Sequence, residues 1–359
     1  MKNLVIDKQA VKSNLRAAKE RAGNVEIYAD LSADAQGMGL RETAKLLRDE
    51  GVRAFAVSDP RDAAALRDIG FHDERIMMLR STADSKELEE LIDLNVVCTI
   101  GSYDAAVALN GIAEERSTVC EVQIKIDTGL GRYGFTPTEM DKISAIFKYM
   151  ANLAVVGVFT SYSASWRSRK QTQAQTDLFE SAVERIREMG YDPGMVHACD
   201  SAALFRYEFG RFDAVRVDTA LSGRLPGKNI AQLRKVGYIA AGIEETGWFT
   251  KGHRVGGKIT LKKPTRLAVL SVGYYHGYGV TKAEEMKSVF DFLKIRHRRM
   301  YVKINGHKAR VLDIGTMHTI VDITKVDCTV GDTAIMDVDP VNVKGLAREY
   351  RDPENVQEK

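Results

Sequence analysis

The sequence has no apolar run that reaches the ~18–20 residues a membrane-spanning helix needs. It also has little excess charge, because 52 Lys and Arg residues against 49 Asp and Glu residues give a formal net charge of +3. This near-balance gives no electrostatic reason to expect a nucleic acid or an anionic membrane as a partner. The charged first residues, MKNLVIDKQAVKSN, predict that no signal peptide begins the sequence. We therefore expect a cytoplasmic protein.

Cysteine is scarce as well. The four cysteines are far apart and lie mostly in apolar, strand-like segments: Cys98, Cys120, Cys199 and Cys328. No CxxC or HxxxH spacing is present, so nothing predicts a structural zinc site. Buried free thiols in a reducing compartment are expected rather than disulfides.

What the sequence does have is a regular alternation of apolar, β-prone runs and amphipathic segments. The eight β-prone runs are 25–29, 52–57, 75–79, 96–100, 120–126, 153–159, 195–199 and 213–217. Eight βα units in about 220 residues predict an α/β fold with a (β/α)8 TIM barrel, whose usual span is ~250 residues. We place this barrel at residues 8–228. A doubly wound open sheet is the alternative that periodicity leaves open.

Local signals place some of the helices. The first helix is predicted to begin near Asp7 or Lys8 and to end at Gly23. A later helix is predicted over residues 85–95 with Ser85 as its cap, and another is predicted to end at Gly190.

After residue 230 the pattern changes to short β segments separated by Gly, Asn-Gly and Lys-Pro turns. This change predicts a smaller, mostly β C-terminal domain made of residues 229–359 together with residues 1–7. One helical insertion is expected at 281–297. The charged tail, residues 348–359, is predicted to fray.

The stretch DLSADAQGMG at residues 30–39 lies between a β-prone run and an amphipathic run, as a ligand-carrying βα loop does. It resembles the segment of alanine racemases and related pyridoxal-phosphate enzymes that reads Lys, two residues, then Ala-Tyr-Gly-x-Gly. In that family the Lys forms a Schiff base with the cofactor. Ser32 stands at the Lys position and Gln36 at the Tyr position. Because a serine hydroxyl cannot form an imine, no cofactor is expected here, although the resemblance itself implies pyridoxal phosphate.

A second motif, IKIDTGLGRYGF, resembles the family pattern Lys-x-Asp-Thr-Gly-Met-Gly-Arg-x-Gly-Phe. The resemblance implies that Lys125 matches a Lys that is often carbamylated and steadies the Arg. It implies that Arg132 matches the Arg that touches the cofactor's phenolic oxygen and the substrate carboxylate. The alternative is that Asp127 and residues 129–134 only form a tight structural turn.

Three further barrel motifs carry the resemblance: HACDSAALFR, DAVRVDTALSGRLP and VFTSYSA. Ser201 matches the Ser that holds the cofactor phosphate, and Asp200 replaces the neighbouring Asn. Arg216 matches the Arg that contacts the pyridine nitrogen. Asp218 stands where a small residue leaves room for the phosphate, and Ser161 replaces the His that stacks beneath the ring.

The predicted β domain contains two more matches. SVGYYHGYG resembles the family's Gly-Tyr-x-x-Gly, whose Tyr is the second proton-transfer base and is contributed across a dimer interface. Tyr274 matches that Tyr, so the resemblance implies a homodimer. DIGTMHTIVDIT resembles the loop that receives the substrate carboxylate, with Thr316 and Met317 among its counterparts.

The departures from the family pattern share an acidic character. Two carboxylates, Asp200 and Asp218, beside a phosphate would be repelled near neutral pH unless they were protonated or paired. Asp30 is expected on the same strand face as Ser32, and Asp34 adds a carboxylate in the following loop. Together these acids favour a cationic or polyhydroxyl ligand. The alternative is that each acid is salt-bridged elsewhere, for example Asp218 to a neighbouring Arg.

Three hypotheses remain open. The first is an alanine-racemase-fold protein whose pyridoxal-phosphate site is dismantled or rebuilt, and which binds or transforms a different small molecule. The second is a working amino-acid racemase, an isomerase, with an unusual anchor such as Lys125. The third is a non-catalytic pseudoenzyme or scaffold. A metal site built from the acids and His197 has no spacing signature, so no metal is expected and His197 is interpreted as a buried, hydrogen-bonded strand residue.

Overall fold

The computed structural model describes residues 2–226, 232–280 and 300–352. The chain divides into two compact units. One, called here the barrel unit, comprises Lys12–Arg234. The other, called the β unit, comprises Met1–Val11 and Lys235–Lys359, and its first strand is β1 (Lys2–Asp7).

Eight strands form a closed barrel. They are β2 (Glu26–Asp30), β3 (Ala54–Val57), β4 (Arg75–Ser81), β5 (Val97–Ile100), β6 (Cys120–Lys125), β7 (Leu153–Phe159), β8 (Met195–Cys199) and β9 (Ala214–Val217). Each strand pairs in parallel with the next, and β9 returns to pair with β2, where Tyr28 lies opposite Arg216. The predicted barrel is therefore confirmed, and the open-sheet alternative is wrong.

The barrel interior combines large and small side chains. Tyr28, Met77 and Phe159 are fully buried. They pack in one cluster with smaller residues: Ala54, Ala56, Val97 and Ala214. Because both faces of a parallel barrel strand are covered, such strands are mostly apolar. Polar side chains inside this barrel are therefore candidates for a site.

Helices alternate with the barrel strands. They are α1 (Lys8–Ala22), α2 (Leu40–Asp49), α3 (Pro60–Asp68), α4 (Ser85–Asp93), α5 (Tyr103–Glu115), α6 (Met140–Tyr149), α7 (Arg169–Glu188) and α8 (Ser201–Arg206). The predicted limits of α1 are confirmed, because the Asp7 carboxylate accepts a first-turn N–H and Gly23 follows with φ 72°. The predicted cap of α4 was wrong by one residue. Asp84, not Ser85, accepts the Glu87 N–H at 3.0 Å, and its carboxylate also suits the positive end of the helix dipole.

The β unit contains the strands that follow the barrel. They are β10 (Tyr238–Phe249), β11 (Arg254–Val255), β12 (Ile259–Thr260), β13 (Thr265–Leu270), β14 (Tyr301–Ile304), β15 (His307–Ile314), β16 (Thr319–Asp322), β17 (Thr333–Asp337) and β18 (Ala347–Arg351). One eight-stranded sheet has the order β13-β16-β15-β14-β17-β10-β1-β18, and β13 also pairs with β10. The predicted mostly β C-terminal domain is confirmed.

The prediction of a frayed tail was wrong for residues 348–351. Strand β18 pairs in parallel with β1, so that Leu4 lies opposite Arg348 and Ile6 opposite Tyr350. The pairing satisfies backbone groups on β1 that would otherwise form an open sheet edge. The local charge of residues 348–351 had suggested that they are exposed. Their partner strand, β1, lies at the other end of the sequence and could not be inferred from local charge.

Two predictions fall outside the described residues. The helical insertion at 281–297 lies within 281–299, and the barrel boundary at 228 lies within 227–231. Among the residues that are described, no helix is both long and apolar enough to span a membrane.

Candidate functional site

Many of the predicted site residues lie at the carboxyl ends of the barrel strands, where barrels of this kind carry their sites. Lys125 ends β6, Asp30 ends β2, and Arg216 is the next-to-last residue of β9. The others come shortly after strands: Ser32 after β2, Ser161 after β7, Asp200 and Ser201 after β8, and Asp218 after β9. The barrel therefore gathers these side chains at one end, called here the mouth.

The turn after β2 has an unusual backbone. All four residues from 33 to 36 have positive φ, between 53° and 57°, although none is a glycine. A left-handed conformation costs an L-residue roughly 1–2 kcal/mol. Two hydrogen bonds offset part of this cost: Ala35 N–H donates to the Leu31 carbonyl, and Leu40 N–H donates to the Asp34 carboxylate, each at 2.8 Å. Backbone strain of this kind concentrates at functional sites.

Ser32 opens this turn instead of sharing a strand face with Asp30, so the expected strand geometry was wrong at this position. Its N–H donates to the Asp30 carboxylate at 2.9 Å. Its hydroxyl lies 2.5 Å from the hydroxyl of Ser58, which directly follows β3. Gln36, at the far end of the turn, is half-buried. The Ser32 side chain is therefore held by the neighbouring strand end.

A chain of polar side chains crosses the barrel interior. The Arg216 guanidinium donates to Nδ1 of His197 and, at 2.6 Å, to the Thr160 carbonyl. His197 Nε2 lies 2.6 Å from Gln123 Oε1, and Gln123 Nε2 donates to the Tyr28 hydroxyl at 3.4 Å. Burial, and then the charge of Arg216, hold the pKa of His197 well below its ordinary value. The ring is therefore neutral with its proton on Nε2, and the interpretation of His197 as a buried strand residue is confirmed.

Aromatic rings fix this network in place. His197 is stacked between Tyr28 and Phe159, with ring centroids 5.5 Å and 5.1 Å away. Arg216 lies over the Phe159 ring at 5.2 Å. Within the described residues Arg216 forms no ion pair with Asp218, so its guanidinium is committed to the barrel interior.

Three carboxyl groups form an acidic side of the mouth: Asp30, Asp200 and Asp218. Burial, followed by the charge of Asp218, raises the pKa of Asp30 to about 6. Burial also raises the pKa of Asp200, whose carboxylate accepts the Ser165 hydroxyl at 2.6 Å. The charge of Arg216 acts in the opposite direction on both groups. These mutual effects mean that the carboxyl groups lie close enough to repel one another.

Ser201 and Ser161 make different contacts. The Ser201 hydroxyl is fully buried and accepts the N–H groups of Asp218 at 2.8 Å and Ala220 at 3.2 Å. Both lone pairs of its oxygen are therefore occupied. The half-buried Ser161 contributes its carbonyl to Gln175 at 3.5 Å.

Lys125 lies on the opposite, cationic side of the mouth. It is 3% exposed, and its amino group lies 5.6 Å from the ring centroids of both Tyr133 and Phe159. Burial first, and then the charges of Arg216 and Arg132, lower the pKa of Lys125 to about 8. In the described part of the chain, this amino group has no hydrogen bond or ion pair.

The loop after β6 presents Arg132. The Asp127 carboxylate accepts the N–H groups of Gly129, Leu130 and Gly131 at 2.9–3.1 Å, which folds the loop into a tight turn. Arg132 is exposed on this turn and makes no hydrogen bond or ion pair with any described residue. Asp127 and the residues after it thus form the tight structural turn that was the alternative interpretation. The same turn leaves the guanidinium of Arg132 available to an anion.

Three predicted site residues belong to the β unit: Tyr274, Thr316 and Met317. The Tyr274 hydroxyl lies 2.7 Å from the Thr316 hydroxyl, and Tyr274 N–H donates to the Gly315 carbonyl at 3.0 Å. Gly273 is required here, because a Cβ at that position would lie 2.2 Å from the same carbonyl oxygen. Tyr274 is 53% exposed and Met317 is 40% exposed. The β unit therefore presents a phenol and a thioether on its surface.

Metal and thiol chemistry receive no support at these positions. The described residues contain no group of three or more His, Cys, Asp or Glu side chains that could hold a metal ion. All four cysteines are free and buried, as expected. Burial raises the pKa of Cys98 to about 12, which makes that thiol unreactive.

Sequence reasoning missed three residues: Gln123, Ser58 and Ser165. Gln123 lies two residues before Lys125 on β6, so strand alternation could have placed both inside the barrel. Ser58 could have been found by its place directly after β3. Ser165 had no local signal, because its contact with Asp200 joins two different βα loops.

The geometry agrees with the comparison to known families. The model of the family described as "Alanine racemase, N-terminal domain" matches residues 6–226. The chain belongs to the alanine racemase family. It is 30% identical over 341 residues to the alanine racemase of Methylacidiphilum infernorum (isolate V4). The match covers 92% of this chain and 82% of that protein. It is 26% identical to the alanine racemase of Halothermothrix orenii, covering 92% and 86%.

Solved alanine racemase structures share the fold. The enzyme of Clostridium difficile 630 matches with a TM-score of 0.84 at 23% identity, covering 98% of this chain and 96% of that one. The enzyme of a D-cycloserine-producing Streptomyces lavendulae matches with a TM-score of 0.85 at 21% identity, covering 98% and 97%. A Bartonella henselae alanine racemase, described with covalently bound pyridoxal phosphate, matches with a TM-score of 0.81 at 20% identity, covering 98% and 99%.

Proposed function

We propose that this member of the alanine racemase family has a rebuilt cofactor site. In this proposal Ser32 occupies the position of the imine-forming lysine, and the barrel mouth binds or transforms a small, cationic or polyhydroxyl molecule. The proposal is based on the positions of lysines at the barrel mouth. The eight barrel strands contain a single lysine, Lys125 on β6, and the turn after β2 offers only the Ser32 hydroxyl.

The residues at the mouth do not fit pyridoxal phosphate in the family's manner. The Ser201 hydroxyl, at the position matched to the phosphate ligand, accepts two N–H groups and keeps its O–H to donate, so the misfit lies in the neighbouring acids. The carboxyl groups of Asp200 and Asp218 would face a phosphate dianion and repel it. The Arg216 guanidinium is bound by His197 and backbone carbonyls, so it does not neutralise both acids. This misfit separates the chain from the Bartonella henselae relative.

The mouth supports a ligand that carries both hydrogen-bond donors and a negative group. The acidic side can accept hydrogen bonds from ammonium or hydroxyl groups, and Asp30 with its pKa of about 6 can take or give a proton near neutral pH. Arg132 has a free guanidinium for a carboxylate. These features support the assignment of Asp30, Asp200 and Asp218 to ligand binding, and of Lys125 and Arg132 to catalysis.

The remaining assignments concern assembly. We propose a homodimer in which Tyr274 of one copy faces the barrel mouth of the other. The exposed phenol, held by the Thr316 hydroxyl, supports this proposal. Most soluble homo-oligomers are closed dimers, so the proposed symmetry is also the commonest one.

A second candidate function is an amino-acid racemase anchored on Lys125. The lowered pKa of Lys125 favours it, because imine formation needs a neutral amine. An imine absorbance band at ~420 nm that borohydride removes would identify this function. A non-catalytic scaffold is the third candidate, and neither the strained turn nor the buried amine favours it.

The proposal is tested by restoring the family residues. Ser32→Lys alone is expected to leave alanine racemisation undetectable with saturating pyridoxal phosphate. A variant that also carries Gln36→Tyr, Ser161→His, Asp200→Asn and Asp218→Gly is expected to gain activity. Each charge-assisted phosphate contact contributes roughly 1.5–3 kcal/mol, so several together change cofactor affinity by orders of magnitude. Robust turnover by the unmodified chain or by the single variant would overturn the proposal.

A further inference from the structure

Lys125 is unusual because the residue is 3% exposed and its amino group has no hydrogen bond or ion pair with any described residue. Buried lysines are normally paired with an acid or hydrogen-bonded to acceptors. The amino group instead lies 5.6 Å from the ring centroids of Tyr133 and Phe159. No described residue uses its donors, and it stands at the end of a barrel strand, where ligands bind.

Burial and the surrounding charges favour the neutral amine. Burial lowers the pKa of Lys125 most, the charges of Arg216 and Arg132 lower it further, and the charge of Asp127 acts in the opposite direction. With a pKa of about 8, roughly a tenth of the Lys125 side chains are neutral at pH 7. An ordinary lysine, with a pKa of 10.5, is neutral in only about 0.03% of molecules.

We propose that Lys125 is a nucleophilic amine that captures the carbonyl carbon of a 2-oxo acid as an imine, while Arg132 pairs with the carboxylate of that acid. The proposal rests on the proposed function, since it takes the mouth to be free of pyridoxal phosphate. The substrate class follows from two unsatisfied groups on one strand and its loop. One is an amine that needs an electrophile, and the other is a guanidinium that needs an anion.

The reaction balances without an added oxidant or reductant. The neutral Nζ attacks the carbonyl carbon, a C–N bond forms, and the carbonyl oxygen takes up a proton. The resulting carbinolamine then loses water as the second nitrogen proton leaves. The net change is amine plus carbonyl giving imine plus water. The family resemblance implies a different product at this amine, a carbamate, which has no C=N bond for a hydride to reduce.

The test uses the full chain with pyruvate and borohydride in bicarbonate-free buffer. Intact mass spectrometry should show one reduced pyruvate per chain, and peptide mapping should place it on Lys125. Lys125→Arg should abolish the adduct. Lys142→Arg is the matched control, because Lys142 is exposed, pairs with Glu139 and should not affect the adduct.

Two further measurements separate a specific site from general reactivity. Arg132→Gln, an exposed substitution that spares the fold, should raise the pyruvate concentration for half-maximal trapping at least tenfold. The trapping rate should increase as the pH rises and should reach half of its maximum near pH 8. Adducts spread over surface lysines, or an Arg132→Gln variant that traps as well as the parent, would overturn the inference.

Parallel trapping with pyridoxal phosphate distinguishes this inference from the proposed function. If neither compound is trapped, the inference fails and the rebuilt cofactor site stands. If pyridoxal phosphate alone is trapped on Lys125, both the 2-oxo acid assignment and the proposed function fail. Trapping of pyruvate alone supports the inference and agrees with the lack of pyridoxal phosphate binding that the proposed function requires.

Discussion

The two sides of the barrel mouth treat charge in opposite ways. The cationic side, with Lys125 and Arg132, comes from the segment IKIDTGLGRYGF and leaves two cations unpaired among the described residues. The acidic side, with Asp30, Asp200 and Asp218, places carboxyl groups close together. Arg216 influences the pKa of groups on both sides.

One buried arginine, Arg216, couples both halves of the site. Burial raises the pKa of Asp30 and lowers that of Lys125, so both groups are shifted toward neutral forms. Groups with pKa values moved toward the working pH suit proton transfer and nucleophilic attack. The same shifts predict how stability responds when each side is changed.

The largest effect is expected when the coupling residue is removed. Arg216→Met should destabilise the fold by about 3–5 kcal/mol, because it leaves His197 and two carbonyls without a donor and the acids without a nearby cation. Urea unfolding followed by circular dichroism measures this change. Arg185→Met, at an exposed residue whose guanidinium donates to the Pro137 carbonyl, is the control. A loss below about 1 kcal/mol would show that the two sides are independent.

Changing the cationic side should have a smaller effect of opposite sign. The folded pKa of Lys125, about 8, lies below the ordinary 10.5, so the unfolded chain binds more protons between these values. The penalty is fully present below pH 8 and disappears as the pH rises to 10.5. Lys125→Met should therefore stabilise the fold by about 2–3 kcal/mol at pH 7 and by little at pH 10.5.

The same denaturation series checks this prediction in bicarbonate-free buffer, with Lys142→Met as a surface control. A Lys125→Met variant that is less stable than the parent at pH 7 would mean that the ammonium is paired in solution.

Changing the acidic side should have the smallest effect. The folded pKa of Asp30, about 6, lies above the ordinary 3.8, so its charge destabilises the fold fully above pH 6 and not below pH 3.8. Asp30→Asn keeps an acceptor for the Ser32 N–H. It should stabilise the half-buried site by about 1–2 kcal/mol at pH 8, after allowance for solvent screening.

Melting curves at pH 8 and pH 4 measure this difference, with the exposed Asp68→Asn as control. Equal shifts of Asp30→Asn at the two pH values would contradict the raised pKa.

The fold could be predicted from local patterns, whereas the site could be predicted only in part. Apolar periodicity located all eight barrel strands. Lys125 and Arg216 were singled out by their resemblance to family motifs, and the predicted strand ends placed them at the mouth. The left-handed turn at 33–36 could not be predicted, because non-glycine residues rarely adopt that conformation. The link from Arg216 through His197 to Gln123 could not be predicted either, since it joins side chains of three different strands.

The pairing of β18 with β1 was missed for a related reason. Its partner lies more than 340 residues away by the paired positions Leu4 and Arg348. The charge of a short segment does not indicate contacts with residues so far away in the sequence. The acidic residues themselves were visible in the sequence, but their mutual repulsion became visible only with their positions around Arg216.

Titration of the full chain with pyridoxal phosphate, followed by absorbance and gel filtration, tests the rebuilt site most directly. Binding no tighter than about millimolar is predicted, because the acidic side repels the phosphate. No absorbance should remain with the protein after gel filtration. Stoichiometric cofactor that stays bound, with an imine band at ~420 nm, would contradict the account.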